Sequence, residues 1–245
     1  MKPRNVKVLA CVAALALTAF TPIAYAVTDI GTCQTISQPG SYRLTQNLQT
    51  DARDCLIITV PNVNLDLQGH TISGVRHPLT RGISAPNEQR LHNIVVRNGT
   101  VAFFGVGVSL GGATHSVRVE NLQVHGNANF GIHVGSGSIV ASNSVYDNGG
   151  FGILVRSSAP IGDGAMVVYN VVLDNGFDGI LIEVPGSTVS GNISRRNGQD
   201  GIEVRCPSNV QNNTSTQSLS GFVDLRFRTG LCVDVNNVAI KKLKE

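Results

Sequence analysis

The chain has 245 residues, of which 42% are hydrophobic and 14% are charged, and its formal net charge is +3 at pH 7. Three basic residues and no acidic residue lie within positions 1–26, so the rest of the chain has a formal net charge of zero (3 minus 3). All the lysines beyond position 26 are in the last five residues, which argues against a nucleic-acid-binding protein because no basic surface runs through the body of the chain.

The first 26 residues have the three parts of a secretory signal. A basic start is followed by an apolar stretch at residues 8–20 and by a small-residue cleavage site at residues 24–26. The apolar stretch is too short to span a bilayer, and no later segment resembles a membrane span. We expect a signal peptide over residues 1–26 and an exported protein, secreted or periplasmic, that begins near Val27.

Four cysteines follow the signal, and an oxidising compartment would favour disulfides between them. The spacing predicts Cys33 with Cys55 and Cys206 with Cys232, because each pair closes a short loop near one end of the chain. The other two pairings and four buried thiols are the alternatives. No C-x-x-C spacing indicates a zinc site.

A glycine followed by Ile, Val or Phe recurs through the rest of the chain. The steps are 24, 21, 27, 22 and 20 residues, which predicts a stacked repeat. The glycines are Gly107, Gly131, Gly152, Gly179, Gly201 and Gly221.

Asparagines keep the same spacing. Four of them precede a repeat glycine by four residues: Asn127, Asn148, Asn175 and Asn197. A second series is Asn98, Asn121, Asn143, Asn170, Asn192 and either Asn212 or Asn213. At a corner of the chain an amide can hydrogen-bond both the backbone and its own copy in the next repeat, while glycine permits a tight turn. We therefore assign structural roles to the asparagines and to Gly131, Gly152, Gly179 and Gly201.

Each repeat consists of short apolar strands broken by corners, and no window has an amphipathic helical pattern. Such a unit cannot fold alone, but stacked units would pair their strands in parallel. The prediction is an all-β solenoid of about eight coils over residues 27–245, with an N-terminal cap at 27–58 and a C-terminal cap at 231–245. Its interior should contain two columns, Ile132, Ile153, Ile180 and Ile202, and Val134, Val155, Ile182 and Val204.

The segments NANFGIHV, NGGFGILV, NGFDGILI and NGQDGIEV resemble the coils of the right-handed parallel β-helix superfamily, the pectate-lyase-like proteins. The resemblance covers residues 33–238 and implies a right-handed helix. Members of that superfamily include polysaccharide lyases, glycoside hydrolases, uronate epimerases, adhesins, phage tail spikes and periplasmic accessory proteins of copper-enzyme maturation. The D-P-H signature of the epimerases is absent from this chain, so the resemblance implies a fold and leaves the reaction open.

Outward-facing positions beside the interior columns supply the candidate site. We expect a groove for an extended polysaccharide lined by Phe130, His133, Phe151, Arg156 and Glu183. Asp178 and Asp200, with Glu183 and Glu203, are candidate calcium ligands. In a lyase reaction Arg205 is the first candidate for the base and Glu203 the second. The competing interpretation is a solvent-facing ladder of alternating charge, with the phenylalanines packed in a corner.

Two other pairs have spacings of chemical interest. His92 and His115 are one coil apart, so they could stack and bind a transition metal, or be two polar corner residues. Asp174 and Asp178 could serve as the acid and base of a glycoside hydrolase.

The sequence thus favours an exported protein that binds or processes a polysaccharide, which could contain uronate. A lyase is the first enzymatic candidate and a glycoside hydrolase the second. The alternative is a non-catalytic structural or accessory module of the envelope that docks a protein or cell-wall partner, and the scarcity of long loops to wall a cleft favours binding over catalysis.

Overall fold

The computed structural model describes residues 26–51, 53–158, 163–219 and 221–244. The signal peptide predicted at residues 1–26 lies outside these residues, apart from Ala26, and it remains a prediction, as do the proposed cap boundaries. In the described part of the chain, no helix is long and apolar enough to cross a membrane.

The described residues form strands and turns, without helix. The first nine strands are β1 (Val27–Ile30), β2 (Gln34–Ile36), β3 (Gly40–Leu44), β4 (Leu48–Gln49), β5 (Leu56–Ile58), β6 (Val63–Asp66), β7 (Thr71–Ser73), β8 (Arg81–Ser84) and β9 (Ile94–Ala102). The next nine are β10 (Val106–Leu110), β11 (Val117–His125), β12 (Ile132–Val134), β13 (Ile139–Ala141), β14 (Ser144–Tyr146), β15 (Ile153–Val155), β16 (Met166–Val168), β17 (Val171–Leu173) and β18 (Ile180–Ile182). The last nine are β19 (Thr188–Ser190), β20 (Ile193–Arg195), β21 (Ile202–Arg205), β22 (Asn209–Gln211), β23 (Thr214–Thr216), β24 (Leu225–Arg228), β25 (Val233–Val235), β26 (Val238–Ala239) and β27 (Lys242–Lys244).

The strands stack into a parallel solenoid of about nine turns, which confirms the predicted fold. One sheet has ten strands, a single strand from each coil, in the order β2, β5, β8, β10, β12, β15, β18, β21, β24 and β27. The other sheet has 17 strands, and most coils contribute two of them. Each side chain therefore lies directly above its counterpart one coil earlier.

Both predicted interior columns are present. Ile132 pairs with Ile153, Ile153 with Ile180, and Ile180 with Ile202, and all four side chains are fully buried. The second column, Val134, Val155, Ile182 and Val204, is fully buried as well. Burial of each such side chain contributes about 1.5–3 kcal/mol, and it fixes the register because a slip of one residue would turn both columns outward.

The first predicted asparagine ladder is also present. The Nδ2 group of each asparagine donates to Oδ1 of the next, at 2.8 Å from Asn127 to Asn148, 2.9 Å from Asn148 to Asn175 and 3.1 Å from Asn175 to Asn197. All four side chains are buried. The ladder therefore satisfies corner amides that would otherwise be buried without partners.

The second asparagine ladder begins later than predicted and continues further. It contains Asn143, Asn170, Asn192, Asn213 and Asn237, with steps of 2.9, 3.0, 3.0 and 2.9 Å. Asn98 and Asn121 were predicted as members, but each lies one residue too early and adopts the left-handed conformation, with φ of 61° and 54°. Asn212 occupies the same left-handed position, so Asn213 is the ladder residue.

Four of the repeat glycines, Gly131, Gly152, Gly179 and Gly201, pack closely against the next coil and do not have a positive φ. A Cβ on Gly152 would lie 2.6 Å from the carbonyl oxygen of Gly179, and one on Gly131 would lie 2.7 Å from that of Gly152. The chain bends at each of these four glycines directly before the strand, and close packing against the next coil adds a second reason for glycine there. Gly221 is out of register, because Ile202 pairs with Leu225 and the position equivalent to Gly201 is Asp224.

A disulfide lies near each end of the solenoid, and the last coil also contains an inward-pointing ion pair. The predicted disulfides Cys33–Cys55 and Cys206–Cys232 are formed, with Cα–Cα distances of 4.4 and 5.0 Å. In the last coil, Asp234 takes the inward position of the preceding valine and binds Nζ of Lys242 at 3.0 Å. An inward-pointing charge pair at an end coil discourages the addition of further strands.

Candidate functional site

An open groove of about 440 Å³ lies on the outer face of the ten-stranded sheet, over β15, β18, β21 and β24. We call it the acidic groove. Its lining includes the predicted residues Phe151, Arg156, Asp178, Glu183, Asp200 and Glu203, and four that the sequence analysis missed, Gln199, Phe222, Arg226 and Arg228. The structure thus brings most of the predicted site together, and it adds two arginines.

Arg226 binds the carboxylate of Asp200. Its Nε donates to Oδ2 and its Nη2 lies 3.4 Å from Oδ1, while the backbone N–H of Val223 donates to the same Oδ1 at 2.7 Å. Asp200 is almost fully buried. The guanidinium and the backbone N–H supply the hydrogen bonds that a buried carboxyl group needs.

Glu203 stands beside the same arginine on the outward column of the sheet, directly paired with Arg226. Its Oε1 lies 3.0 Å from Nη1 of Arg228, and its Oε2 lies 3.5 Å from Nε of Arg226. The carboxyl is buried, and Asp178 and Asp200 lie close to it. Burial raises the pKa of Glu203 above its ordinary value, and the negative charges of the two aspartates raise it further.

Asp178 is the third buried carboxyl group of the acidic groove. Burial raises its pKa from 3.8 to about 6, and the backbone N–H of Asp200, which donates to its Oδ1 at 2.9 Å, opposes part of that shift. Two guanidinium groups, those of Arg226 and Arg228, face these three buried carboxyl groups, and the excess of one carboxyl group is consistent with the raised pKa values of Asp178 and Glu203.

Arg156 and Glu183 form an ion pair at one wall of the groove. Arg156 donates through Nε to Oε2 and through Nη2 to Oε1 at 2.7 Å, a two-point contact. This contact lowers the pKa of Glu183. The pair has the cross-strand geometry expected of a structural charge ladder, and both side chains also line the groove. Its position is therefore compatible with a structural role and with a role in binding a ligand.

Phenylalanine rings form a row at the groove. The ring centroids of Phe130 and Phe151 are 5.4 Å apart, and those of Phe151 and Phe177 are 5.3 Å apart. Phe130 continues the row beyond the lining, with the ring of His133 edge-on at 6.2 Å. Burial lowers the pKa of His133 to about 4, and this partly buried residue is not among the lining residues described for the groove.

Two predictions about the site are not supported by the geometry. Arg205 has an exposed side chain and is not among the lining residues described for the groove. The predicted calcium site requires its carboxylates to converge, but the described part of the chain has no group of three acidic, His or Cys side chains placed to hold a metal ion. The physical reason is that Arg226 binds Asp200 and Arg156 binds Glu183.

The two other residue pairs behave differently. His92 and His115 stack as predicted, with ring centroids 5.7 Å apart, and within the described residues no third metal ligand joins them. Asp174 does not share a site with Asp178, because it forms an exposed ion pair with Arg196 at 2.6 Å.

Comparison with known proteins agrees with this architecture. No curated protein matches the chain. Among solved structures, pectate lyase Pel9A has a TM-score of 0.54 at 9% identity, covering 90% of this chain and 68% of its own. A double mutant of the periplasmic alginate epimerase AlgG has a TM-score of 0.53 at 13% identity, covering 84% and 70%.

The enzymatically active domain of tailspike protein 2 from bacteriophage CBA120 has a TM-score of 0.55 at 12% identity, covering 89% of this chain and 38% of its own. Identities this low establish a shared fold alone. The family model for the right-handed β-helix region matches residues 50–183 and, in a second alignment, residues 92–237. These matches span more than half of the sequence, and the chain therefore belongs to the right-handed β-helix family.

Proposed function

We propose that the protein binds an extended polysaccharide in the acidic groove and hydrolyses a glycosidic bond there by general acid–base catalysis. The observation that carries the proposal is the carboxyl cluster of Asp178, Asp200 and Glu203, in which three buried acids share two arginines. The names of two structural neighbours, an alginate epimerase and a pectate lyase, support a carbohydrate substrate.

Hydrolysis needs one protonated and one ionised carboxyl group, and the cluster supplies candidates for both roles. Asp200 accepts hydrogen bonds from Arg226 and from a backbone N–H, whereas the pKa values of Asp178 and Glu203 are raised, so these two acids hold a proton more readily than ordinary carboxyl groups. A protonated carboxyl can protonate the leaving glycosidic oxygen, and an ionised one can activate water or attack the sugar. We assign Glu203 or Asp178 as the acid and Asp200 as the ionised partner.

The groove also offers binding contacts for a sugar chain. Phe151 and Phe222 line it with aromatic rings, and such rings pack against the apolar faces of sugars. Arg228, whose side chain is about half exposed, can pair with a carboxylate on the polymer. A uronate-containing polymer is therefore included among the proposed substrates.

A lyase reaction fits the groove less well than hydrolysis does. The arginine expected to remove a proton, Arg205, is outside the lining, and the carboxylates expected to hold a cation are bound to arginines instead. The second candidate function is a non-catalytic envelope module, and the specific observation in its favour is the two-point ladder contact between Arg156 and Glu183.

The test is a screen of the mature protein against a polysaccharide panel, with new reducing ends and the ultraviolet absorbance of unsaturated sugars measured in parallel. Hydrolysis should give reducing ends alone, and Glu203→Gln or Asp178→Asn should lower the rate by about 100-fold or more. Asp174→Asn, an exposed acid in the neighbouring corner, is the matched control and should retain activity. Unsaturated product would establish a lyase, and binding without cleavage would establish the accessory module.

We also propose that the protein is exported to the periplasm or the exterior. Two disulfides, one near each end of the solenoid, support this location because such bonds persist in oxidising compartments. Fractionation of expressing cells, with N-terminal sequencing of the product, should find the chain outside the cytoplasm and beginning near Val27. Full-length chain in the cytoplasm would contradict it.

A further inference from the structure

A second groove lies on the outer face of the 17-stranded sheet, away from the carboxyl cluster. It consists of two adjoining hollows of about 460 and 210 Å³, which share Asn93 and Val95 in their linings and therefore form one continuous depression. We call it the amide groove. It follows the corner at which β3, β6, β9, β11 and β13 begin, so it crosses five successive coils.

The sheet positions of the amide groove form one outward column along the rod. Strand register places Ser41, Asn64, Val95, Arg118 and Ile139 directly above one another. The column thus combines apolar side chains with a hydroxyl, an amide and a guanidinium. An apolar floor with a few polar groups is the usual composition of a small-molecule site.

Three asparagines supply hydrogen-bonding capacity at the groove. Nδ2 of Asn93 donates to Oδ1 of Asn62 at 2.8 Å, which engages one end of each amide and leaves Asn62 Nδ2 and Asn93 Oδ1 for a ligand. Asn64 carries a buried Oδ1 without a hydrogen-bond partner within the described structure. Buried polar atoms are usually paired, and in a groove wall a ligand that donates a hydrogen bond to this amide would supply the missing partner.

The charge of the amide groove selects the class of ligand. Arg118 lies 3.4 Å from Glu120 and is the one charged residue in the lining, so the site has little net charge after pairing. Amides and hydroxyls in a neutral, partly apolar depression match the alternating hydroxyl groups and apolar faces of sugars. His92 and His115, whose rings stack, immediately precede the lining residues Asn93 and Ser116 in the chain.

We propose that the amide groove is a second carbohydrate-binding site, for an uncharged oligosaccharide that lies along the rod axis and donates hydroxyl groups to the asparagine oxygens. The inference does not depend on catalysis in the acidic groove. Each site could be present without the other, and the experiment separates them.

The probes are cellohexaose, maltohexaose and chitohexaose as uncharged chains, with an oligogalacturonate of equal length as the acidic comparison. Binding is measured by shifts of the side-chain amide signals of Asn62, Asn64 and Asn93 in ¹⁵N–¹H spectra of the mature protein. We expect at least one uncharged probe to move these signals and to bind about tenfold more weakly to Asn64→Leu.

The chain contains a matched control. Asn209 occupies the same outward column several coils later and also has a buried Oδ1 without a partner, but it is outside the lining described for the groove. Asn209→Leu should bind the probe as the unmodified protein does. If Asn64→Leu does not fold, Asn93→Ala, at an exposed side chain, should show the same weakening.

Three results would overturn the inference. They are the absence of shifts with every uncharged probe, equal weakening by Asn64→Leu and Asn209→Leu, and loss of binding in Glu203→Gln, which would place the sugar in the acidic groove. Failure of hydrolysis with retained shifts at the asparagines would reject the proposed activity and keep the second site.

Discussion

Replacement of Asp178 by asparagine should change how the stability of the protein depends on pH. The side chain is 5% exposed, and burial, followed by the negative charge of Asp200, raises its pKa from 3.8 to about 6 against the opposing hydrogen bond from the Asp200 N–H. Asparagine keeps the acceptor oxygen for that N–H and removes the titratable group. The substitution therefore isolates the effect of ionisation from that of the contact.

The direction of this pH dependence follows from the number of protons bound in the folded and unfolded states. A carboxyl whose pKa is higher in the folded state than in the unfolded state binds more protons when folded, so its contribution to stability is greatest below pH 3.8 and falls as the pH rises through about 6. A pKa gap of about two units corresponds to about 3 kcal/mol of unfolding free energy. Glu203 has a shift in the same direction and adds to the loss.

The assay is guanidinium-induced unfolding followed by far-ultraviolet circular dichroism, at a series of values from about pH 4 to pH 8. The original protein and Asp178→Asn should have similar stability near pH 4, and the variant should become more stable by up to about 3 kcal/mol above pH 7. Asp174→Asn is the control, because its exposed pairing with Arg196 lowers the pKa of Asp174 and should give a small dependence of opposite sign. Parallel stability curves for the original protein and Asp178→Asn across this range would refute the reasoning.

Three further predictions concern the scaffold, each measured by the same unfolding assay. Asn213→Ala removes an amide that makes four hydrogen bonds in the ladder and should lower the free energy of unfolding by about 3–4 kcal/mol. Asn212→Gly, at a φ of 56°, should be neutral or stabilising by up to about 1 kcal/mol. Equal losses of stability in the two variants would reject the ladder assignment. Replacing both Cys206 and Cys232 by alanine opens a loop of 26 residues and should cost about 3 kcal/mol, and an unchanged midpoint would show that the last coil needs no covalent closure. Gly152→Ala brings a Cβ to within 2.6 Å of a carbonyl oxygen of the next coil and should cost about 2 kcal/mol or more, so a neutral effect would contradict the close-packing role.

The fold could be predicted because its determinants repeat. The interior columns follow from an alternation that recurs at about 22-residue intervals, and stacking converts that interval into contact, as the pairing of Ile180 with Ile202 shows. The disulfide pairs were predicted on different grounds, because each closes a short loop near one end of the chain. The repeat spacing did not identify the correct residue where two adjacent positions favour the same residue type. Asparagine suits both the left-handed corner and the ladder position that follows it. Asn212 and Asn213 occupy these two positions in one coil, so spacing alone could not assign the second series.

The candidate site was predicted only as far as the register could be followed. Glu203 was placed on the outward column, but the next member, Arg226, was missed because the last repeat glycine, Gly221, is three positions before the true equivalent of Gly201. The position two residues after Gly221 is Val223, whereas the residue that pairs with Glu203 is Arg226.

Arg226 also bears on the predicted calcium ligands. Without Arg226, the sequence leaves Asp200 and Glu203 as unneutralised neighbours, for which a divalent cation is the simplest counter-charge. With Arg226 in place, a guanidinium occupies that role and binds Asp200 directly. The remaining charge imbalance is one carboxyl group, which a proton can relieve. The position of this counter-charge depends on the register of one strand, β24, which pairs Arg226 with Glu203.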